Sequence, residues 1–337
     1  MIRNALSRLL DGKSISREDA SLAFSELFDG TISPVLAGSF LTALRFSGET
    51  EEIVAGAASI MRERATKVSL SSDIIADTCG TGGDRSFSFN ISTASAILSA
   101  ACGIPVAKHG NRSVSSNCGS ADVLEALGMK IEISSEKASK MLAKEGFAFL
   151  FAPLYHPAMK HIVPVRKELG FRTLFNLLGP LTNPCGTTVQ ILGVGSPSLL
   201  DLIPKVLYGL GMRRAWIFHG SSGIDELSPC GTTTVVEIGE GIDRFQISAH
   251  DFGMPSASLS ELRGENPAEN AHILRSVLEG KETGAKRNAV LMNTAVLLYL
   301  SQKAKSPLQG VKLASRALDS GIAAEKLHQI IKASQND

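Results

Sequence analysis

One glycine-rich stretch organises this chain: Asp77-Thr78-Cys79-Gly80-Thr81-Gly82-Gly83-Asp84. It follows the apolar run Ile74-Ile75-Ala76, which indicates a short buried strand, and it precedes an apolar run at 94–100, which is typical of a buried helix. In the order strand, glycine loop and helix, the loop N–H groups and the positive end of the helix dipole face the same anion. The spacing matches neither a G-x-G-x-x-G loop nor a lysine-bearing Walker loop. The stretch therefore favours phosphate binding, and a purely structural turn is the alternative.

The regions on either side of this stretch differ in pattern. From 5 to 67, apolar residues recur at helical spacing, and Ser16 and Ser33 stand where helices would begin, which predicts about four short helices. From 69 onward, strand-like runs alternate with helical stretches. The expected strands lie at 74–76, 104–106, 130–133, 147–151, 189–194, 215–218, 233–238 and 245–247.

This pattern predicts an α/β fold with two parts. Residues 1–70 are expected to form a small all-helical domain. Residues 71–337 are expected to form a larger α/β domain with a central, mostly parallel sheet flanked by helices. In such sheets, ligands bind beyond the carboxyl ends of the strands, where the glycine-rich loops would lie.

Composition limits the partners and the compartment. With 337 residues and 44% hydrophobic content, the chain can bury a large core. Its net charge of +1 gives no general attraction for nucleic acid or an anionic membrane. The five cysteines are widely spaced without a C-x-x-C pair, which argues against disulfides or a zinc site, and no apolar run is long enough to span a bilayer. We therefore expect a cytoplasmic protein with no nucleic-acid partner and no membrane partner.

A second polar loop follows the next expected strand. It reads Lys108-His109-Gly110-Asn111-Arg112-Ser113-Val114-Ser115-Ser116-Asn117-Cys118-Gly119-Ser120. Two cations, two glycines and several hydroxyls suit a second anion site, with Ser120 as the expected N-cap of the following helix. Two such loops after successive strands would face one crevice, although a solvated surface loop is the alternative.

Three other features have two interpretations when taken alone. The pair Asp225-Glu226 follows a predicted strand and offers the oxygen ligands that Mg²⁺ prefers, but an acidic pair on a loop is more often solvated surface. Arg166 could bind an aromatic carboxylate or be an ordinary surface charge. His109 and His156 could line a substrate pocket or be structural.

In chain order, these motifs closely resemble the anthranilate phosphoribosyltransferase family of tryptophan biosynthesis. The resemblance extends over nearly the whole chain, and the joint occurrence of the motifs is far more specific than any one glycine loop. The matching segments are Gly80-Thr81-Gly82-Gly83-Asp84, Asn90-Ile91-Ser92-Thr93, Lys108-His109-Gly110-Asn111-Arg112, Ser115-Ser116, Gly119-Ser120-Ala121-Asp122, Pro164-Val165-Arg166, Arg172-Thr173, Phe175-Asn176, Leu178-Gly179-Pro180-Leu181, Asn183-Pro184 and Asp225-Glu226.

The resemblance implies a reaction. The phosphoribosyl group of phosphoribosyl pyrophosphate would be transferred to the amine of anthranilate, with release of pyrophosphate and with Mg²⁺ as the cofactor. It also implies a fold like that of nucleoside phosphorylases, in which part of 160–186 joins the helical domain and a homodimer forms through that domain.

The resemblance further implies roles for individual residues. The catalytic residues would be Lys108, Asn111 and Arg166. Anthranilate would contact Gly80, Asn111 and Arg166. The Mg²⁺ ligands would be Ser92, Asp225 and Glu226. Phosphoribosyl pyrophosphate would contact Gly80, Gly83, Asp84, Ser88, Asn90, Ile91, Ser92, Thr93, Lys108, His109, Gly110, Asn111, Arg112, Ser113, Val114, Ser115, Ser116 and Ser120.

Two rival functions are weighed against this one. A pyrimidine nucleoside phosphorylase of the same fold would carry a lysine-histidine-serine loop, whereas this chain has Asn111 after Lys108-His109-Gly110. A non-catalytic relative that binds nucleic acid would need a basic face and would lose its metal pair, whereas this chain is nearly neutral and keeps Asp225-Glu226.

Overall fold

The computed structural model describes residues 1–84, 86–113 and 117–336. Four helices form its N-terminal part, as the sequence predicts: α1 (Ile2–Leu10), α2 (Arg17–Asp29), α3 (Pro34–Ser47) and α4 (Glu51–Glu63). The predicted helix starts are confirmed, because Oγ of Ser16 and Oγ of Ser33 each accept a hydrogen bond from the N–H group three residues later. Within the described ranges, no helix is both long and apolar enough to cross a membrane.

A seven-stranded sheet forms the centre of the remaining chain. Its strands are β1 (Ala76–Gly80), β2 (Val106–Gly110), β3 (Phe147–Phe151), β4 (Val189–Gly193), β5 (Arg214–Gly220), β6 (Thr232–Ile238) and β7 (Ile242–Ser248). Across the sheet the order is β3-β2-β1-β4-β5-β6-β7, with the first five strands parallel and the last two antiparallel. The predicted mostly parallel sheet is confirmed. Because strand order reverses between β1 and β4, a ligand crevice is expected at their carboxyl ends.

Helices cover both faces of this sheet. They are α5 (Ile91–Ala101), α6 (Ser120–Ala126), α7 (Ser135–Glu145), α8 (Ala152–Tyr155), α9 (Val163–Leu169), α10 (Phe175–Leu178), α11 (Leu199–Gly209), α12 (Pro267–Leu278), α13 (Ala285–Leu300), α14 (Pro307–Asp319) and α15 (Ile322–Gln335). Neighbouring residues of β4 enter different cores: Ile191 belongs to the core that includes α5, α13 and α15, whereas Leu192 belongs to the core that includes α11. The second core continues without a break into the N-terminal helices. The fold is therefore a helical domain joined to a larger α/β domain.

Residues 130–133 do not form a strand, so this prediction is wrong. The alternation behind it is real, because Ile131 and Ile133 are buried and Lys130 is exposed. Among the residues that the structure describes, however, the segment pairs with no strand, and the N–H of Lys130 donates to Oγ of Ser334 in α15 at 3.0 Å. Extended chain that packs against a helix shows the same alternation as a strand, because its side chains also point to opposite sides.

Candidate active site

The two strands before the predicted loops extend further than the sequence predicts. An apolar pattern places each strand end at its last apolar residue, whereas β1 continues to Gly80 and β2 to Gly110. The reason is that Asp77 and Lys108 are buried inside the sheet although they are charged residue types. Buried charged groups of this kind need partners, and both have them.

Lys108 and Asp77 each make several hydrogen bonds. Nζ of Lys108 donates to the carbonyl of Thr78 at 2.6 Å and to Oγ of Ser92 at 3.3 Å. Asp77 accepts from the N–H of Thr78 and from Nδ2 of Asn183, both at 2.8 Å. Burial raises the pKa of Asp77 to about 6, although the charge of Lys108 opposes this rise. The network fixes the Lys108 side chain between the first loop and the start of α5.

The first loop depends on glycine for its shape. Gly80 and Gly193 are paired in register, and a Cβ atom on either would overlap Asp225. Oδ2 of Asp225 accepts from the N–H of Gly82 at 2.7 Å. Gly82 and Gly83 have φ angles of 66° and 77°, in the left-handed region that favours glycine. These glycines let the acidic loop approach the strand ends.

Three carboxyl groups crowd together at this point. The N–H of Asp225 donates to Oδ2 of Asp84 at 3.4 Å, and Oε1 of Glu226 accepts from the N–H of Ser92 at 3.1 Å. Burial and the adjacent carboxylates of Asp84 and Glu226 raise the pKa of Asp225 well above its usual range. Burial raises the pKa of Glu226 to about 7, although Lys108 opposes this rise. A nearby cation would relieve this crowding of negative charge.

The donor set suits Mg²⁺ shared with a substrate. Among the residues described, no group of three or more His, Cys, Asp or Glu side chains is arranged to hold a metal ion alone. Mg²⁺ rarely needs such a cage, because it usually binds one or two carboxylates together with water and substrate phosphates. The oxygen ligands and their raised pKa values therefore fit an ion that arrives with a phosphate compound.

Ion pairs hold the second loop. Arg112 donates to Asp122 at 3.1 Å and to Glu125 at 2.9 Å. Oδ2 of Asp122 also accepts the N–H groups of Ser113 at 3.0 Å and Gly119 at 2.8 Å. Both ends of the loop are therefore tied to the first turns of α6.

Ser120 is not the helix N-cap that the sequence predicts. Gly119 occupies the cap position, and the carboxylate of Asp122 accepts its N–H. Ser120 is the first residue of α6, and its Oγ donates to the carbonyl of Asn111 at 3.3 Å. The predicted substrate contacts Val114, Ser115 and Ser116 lie outside the described residues.

Both loops and the acidic pair line one cavity of about 400 Å³. Most of the predicted site residues that the structure describes contribute to its lining: Gly80, Gly83, Asp84, Ser88, Asn90, Ser92, Lys108, His109, Gly110, Asn111, Arg112, Ser113, Ser120, Asp225 and Glu226. Ile91 and Thr93 are instead fully buried in α5. Residues from Cys79 to Glu226 thus meet at the carboxyl ends of β1, β2 and β4.

Arg166 lies next to the cavity rather than in its lining. Its guanidinium lies 5.4 Å from the centre of the Phe175 ring, and its Nη2 donates to Oδ1 of Asn176 at 3.5 Å. Asn176 does line the cavity. Arg166 therefore contacts the cavity wall through this asparagine.

His109 and His156 form a buried pair at the cavity. Their Nε2 atoms are 3.2 Å apart, and Nδ1 of His109 lies 3.0 Å from the carbonyl of Gly179. Because a carbonyl only accepts, Nδ1 of His109 donates and its Nε2 accepts from His156. Burial lowers the pKa of His109 to about 4 and that of His156 to about 3, so both rings are neutral near pH 7.

Sequence reasoning assigned no role to three residues at the site. Arg172 and Asn176 line the cavity, and Nδ2 of Asn270 donates to Oδ1 of Asn90 at 3.1 Å. Arg172 and Asn176 belong to the sequence motifs that match the family, so the sequence contained a reason to include them in the site. Asn270 gives no such signal, because it is 180 positions from its partner.

Comparisons with known proteins agree with this fold and define a class. The model of the glycosyl transferase family, helical bundle domain, matches residues 3–65, and the model of the glycosyl transferase family, a/b domain, matches residues 72–324. The chain is therefore built as a two-part glycosyl transferase, with the cavity in its α/β part.

Individual proteins that resemble this chain narrow the assignment from this broad class to one enzyme family. The anthranilate phosphoribosyltransferase of Desulfosudis oleivorans is 46% identical over 338 residues, which cover 100% of both chains. The crystal structure of anthranilate phosphoribosyltransferase from Thermus thermophilus gives a TM-score of 0.93 at 40% identity and covers 98% of this chain and 99% of that one. The Saccharomyces cerevisiae enzyme of the same name, in complex with PRPP and Mg, gives a TM-score of 0.90 at 32% identity. That match covers 99% of this chain and 97% of the yeast chain. The chain belongs to the anthranilate phosphoribosyltransferase family.

Proposed function

We propose that the protein transfers the phosphoribosyl group of phosphoribosyl pyrophosphate to the amine of anthranilate. The products are N-(5-phosphoribosyl)anthranilate and pyrophosphate, and the reaction is the second step from chorismate in L-tryptophan biosynthesis. The observation that carries this proposal is the meeting of two strand-end loops and a buried acidic pair at one cavity. Relatives of the same full length support the choice of substrates.

The sugar substrate is proposed to lie across both loops. Lys108 supplies a fixed positive charge beside the start of α5, and the left-handed turn at Gly82 and Gly83 lets a phosphate group approach the backbone closely. Breaking the bond between C1 and the leaving oxygen builds negative charge on the departing pyrophosphate. Because these groups are already in position, they stabilise that charge without reorganising. Such preorganised stabilisation is usually the largest single contribution to catalysis. The proposed contacts are Gly80, Gly83, Asp84, Ser88, Asn90, Ile91, Ser92, Thr93, Ser120 and the run 108–116.

Ser92, Asp225 and Glu226 are proposed to hold Mg²⁺ together with the substrate's oxygens. When bound, the ion neutralises charge on the pyrophosphate and orients it. The fit rests on crowded carboxylates with raised pKa values, which a cation would stabilise in their charged form. The yeast relative's complex with PRPP and Mg supports the same assignment.

Anthranilate is proposed to bind near Gly80, Asn111 and Arg166, with its carboxylate facing the guanidinium. An aromatic amine is neutral at pH 7 and needs no strong base to attack C1. We therefore expect direct displacement without a covalent enzyme intermediate. Burial raises the pKa of Cys79, the cysteine at the cavity wall, which keeps this thiol protonated and unreactive.

A fluorescence assay tests the proposal. Incubation with phosphoribosyl pyrophosphate, Mg²⁺ and anthranilate is expected to remove anthranilate fluorescence, and removal of Mg²⁺ with a chelator is expected to stop the reaction. A parallel reaction with phosphate and a pyrimidine nucleoside serves as the control. Phosphorolysis of the nucleoside without consumption of anthranilate would overturn the proposal in favour of a nucleoside phosphorylase.

We further propose that residues 1–70, with part of 160–186, form one domain, that 71–337 form the other, and that a homodimer forms through the helical part. In support, Leu41 and Phe175 belong to one hydrophobic core. Leu10, Val35 and Phe46 are apolar yet 73%, 79% and 90% exposed, which suits a covered surface. Light scattering should give a dimer for the parent and a smaller mass for Phe46→Ser. The five cysteines form no disulfide in the described part of the chain, which fits the cytoplasm that we propose as its compartment.

A further inference from the structure

Arg172 reaches across the cleft to the glycine loop. It lies between α9 and α10, in a segment whose buried residues Leu174 and Phe175 pack into the core shared with the N-terminal helices. Its Nη1 and Nη2 atoms nevertheless lie 3.4 Å and 3.3 Å from the carbonyl of Gly82, which is 90 positions earlier in the chain. A side chain from the helical side of the molecule thus rests on the loop at the end of β1.

The loop is shaped to admit this guanidinium. Gly83 has a φ of 77°, and a Cβ atom built on it would overlap Nη1 of Arg172. At Gly82, by contrast, a Cβ atom would meet no other atom within 4 Å. The absence of a side chain at Gly83 therefore leaves room for the arginine as well as permitting the left-handed turn.

Arg172 differs from the other cations that line the described part of the cavity. Arg112 is paired with two carboxylates of α6, and the buried charge of Lys108 acts on the carboxyl groups of Asp77 and Glu226. In residues 1–84, 86–113 and 117–336, no carboxylate oxygen lies within 4.0 Å of the Arg172 guanidinium, whose hydrogen bonds go to a neutral carbonyl. A planar guanidinium binds phosphate oxygens through paired, charge-assisted bonds that a carbonyl cannot match.

We propose that Arg172 binds the pyrophosphate group of the activated sugar, exchanging the Gly82 carbonyl for phosphate oxygens and drawing its segment onto the glycine loop. The assignment to pyrophosphate follows from its position over Gly82 and Gly83. Arg166, which faces Phe175 and Asn176, is left for the aromatic acid. This inference rests on the proposed function for the identity of the sugar substrate.

Calorimetric titration with inorganic pyrophosphate and Mg²⁺ tests the inference on the full chain. Arg172→Gln keeps a side-chain amide that can donate to the Gly82 carbonyl but removes the charge. We expect its Kd for pyrophosphate to rise roughly 10- to 100-fold, with Arg172→Lys in between. The matched control is Arg213→Gln, which removes an exposed charge that faces Asp73 and should leave the Kd unchanged. An unchanged Kd in Arg172→Gln, or an equal rise in Arg213→Gln, would overturn the inference.

Steady-state kinetics separates binding from a merely structural role. Arg172→Gln should raise KM for phosphoribosyl pyrophosphate much more than KM for anthranilate, and Arg166→Gln should do the reverse. Equal rises in both constants, together with a lower melting temperature for Arg172→Gln, would assign it a structural role and refute the proposal. The pyrophosphate titration contains no anthranilate. A parent protein that binds pyrophosphate through Arg172 but never consumes anthranilate would therefore sink the proposed function and leave this inference standing.

Discussion

The ends of β1 and β2 both carry polar loops into one cavity, but different forces hold them. At the end of β1, buried carboxylates and left-handed glycines set the shape, and no ion pair is found among the described residues of 77–84. At the end of β2, the exposed pairs of Arg112 with Asp122 and Glu125 fix the loop. The described carboxyl groups of the first loop thus have no ion-pair partner within 4.0 Å, whereas the carboxylates beside the second loop are paired with Arg112. This difference is consistent with the proposal that Mg²⁺ binds beside the first loop and that the second loop positions the substrate.

The largest effect is expected at the acidic pair beside the first loop. Asp225→Asn with Glu226→Gln removes both proposed carboxylate ligands while keeping their size. Anthranilate turnover should fall by a factor on the order of 10² to 10³, and the Mg²⁺ requirement should rise. Asp201→Asn, at an exposed carboxylate on α11, is the control and should behave like the parent. If the double variant turned over anthranilate as fast as the parent, the contrast drawn between the two loops would be wrong.

The next effect concerns the buried pair of His109, in β2, and His156, directly after α8. Burial lowers the pKa of His109 to about 4 and that of His156 to about 3, from an ordinary value of 6.5. Between each lowered pKa and pH 6.5, the unfolded chain therefore binds more protons than the folded chain. The stability that the pair contributes is complete above pH 6.5 and is lost as pH falls toward 4. For His109 alone the loss is about 3 kcal/mol.

Urea unfolding between pH 7 and pH 4 measures this loss. In the double variant His109→Asn with His156→Asn, the free energy of unfolding should fall less between pH 7 and pH 4 than it does in the parent. His250→Asn, at an exposed histidine, should leave the fall as steep as in the parent. An equally steep fall in the double variant would show that the acid sensitivity comes from elsewhere.

A smaller effect separates two adjacent glycines of the first loop. Alanine at Gly82 or Gly83 has the same left-handed strain, of about 1 kcal/mol. Only at Gly83 would the new Cβ also overlap Arg172. We expect kcat/KM for phosphoribosyl pyrophosphate to be roughly tenfold lower in Gly83→Ala than in Gly82→Ala, if the displaced arginine loses about one charge-assisted hydrogen bond. Equal values in the two variants would mean that the approach of Arg172 does not matter.

The smallest effect is expected in the second loop. Glu125→Gln removes one partner of Arg112, and both side chains are about half exposed. Exposed ion pairs contribute less than about 1 kcal/mol, so the melting temperature and turnover should remain close to those of the parent. Thermal unfolding and the fluorescence assay measure both. A drop in turnover as large as that of the acidic double variant would show that the two loops are not held differently.

The sequence predicts the frame of the fold well and the strand ends poorly. Hydrophobic periodicity is sufficient for the four N-terminal helices and for the mostly parallel sheet, and Ser16 and Ser33 mark helix starts by a local rule. The same pattern ends β1 and β2 too early, because Asp77 and Lys108 are polar yet buried. Only their tertiary partners make that burial possible, and a linear pattern does not contain them.

The candidate site illustrates the same limit. Each loop shows its anion-binding chemistry in its own residues, but the meeting of Gly80 with Asp225 depends on the pairing of β1 with β4. The false strand at 130–133 fails for a related reason, because the distant side chain of Ser334 accepts the N–H of Lys130. The misplaced cap at Ser120 is a local error, because Asp122, three residues after Gly119, accepts the N–H of that glycine.

A crystal structure with phosphoribosyl pyrophosphate and Mg²⁺ tests the central claim most directly, because that claim concerns where one ligand lies. The account predicts that the pyrophosphate sits between the Gly82–Gly83 turn and Lys108, with the ion between its oxygens and the side chains of Asp225 and Glu226. A pyrophosphate bound to only one of the two loops, or an ion distant from Asp225 and Glu226, would contradict it.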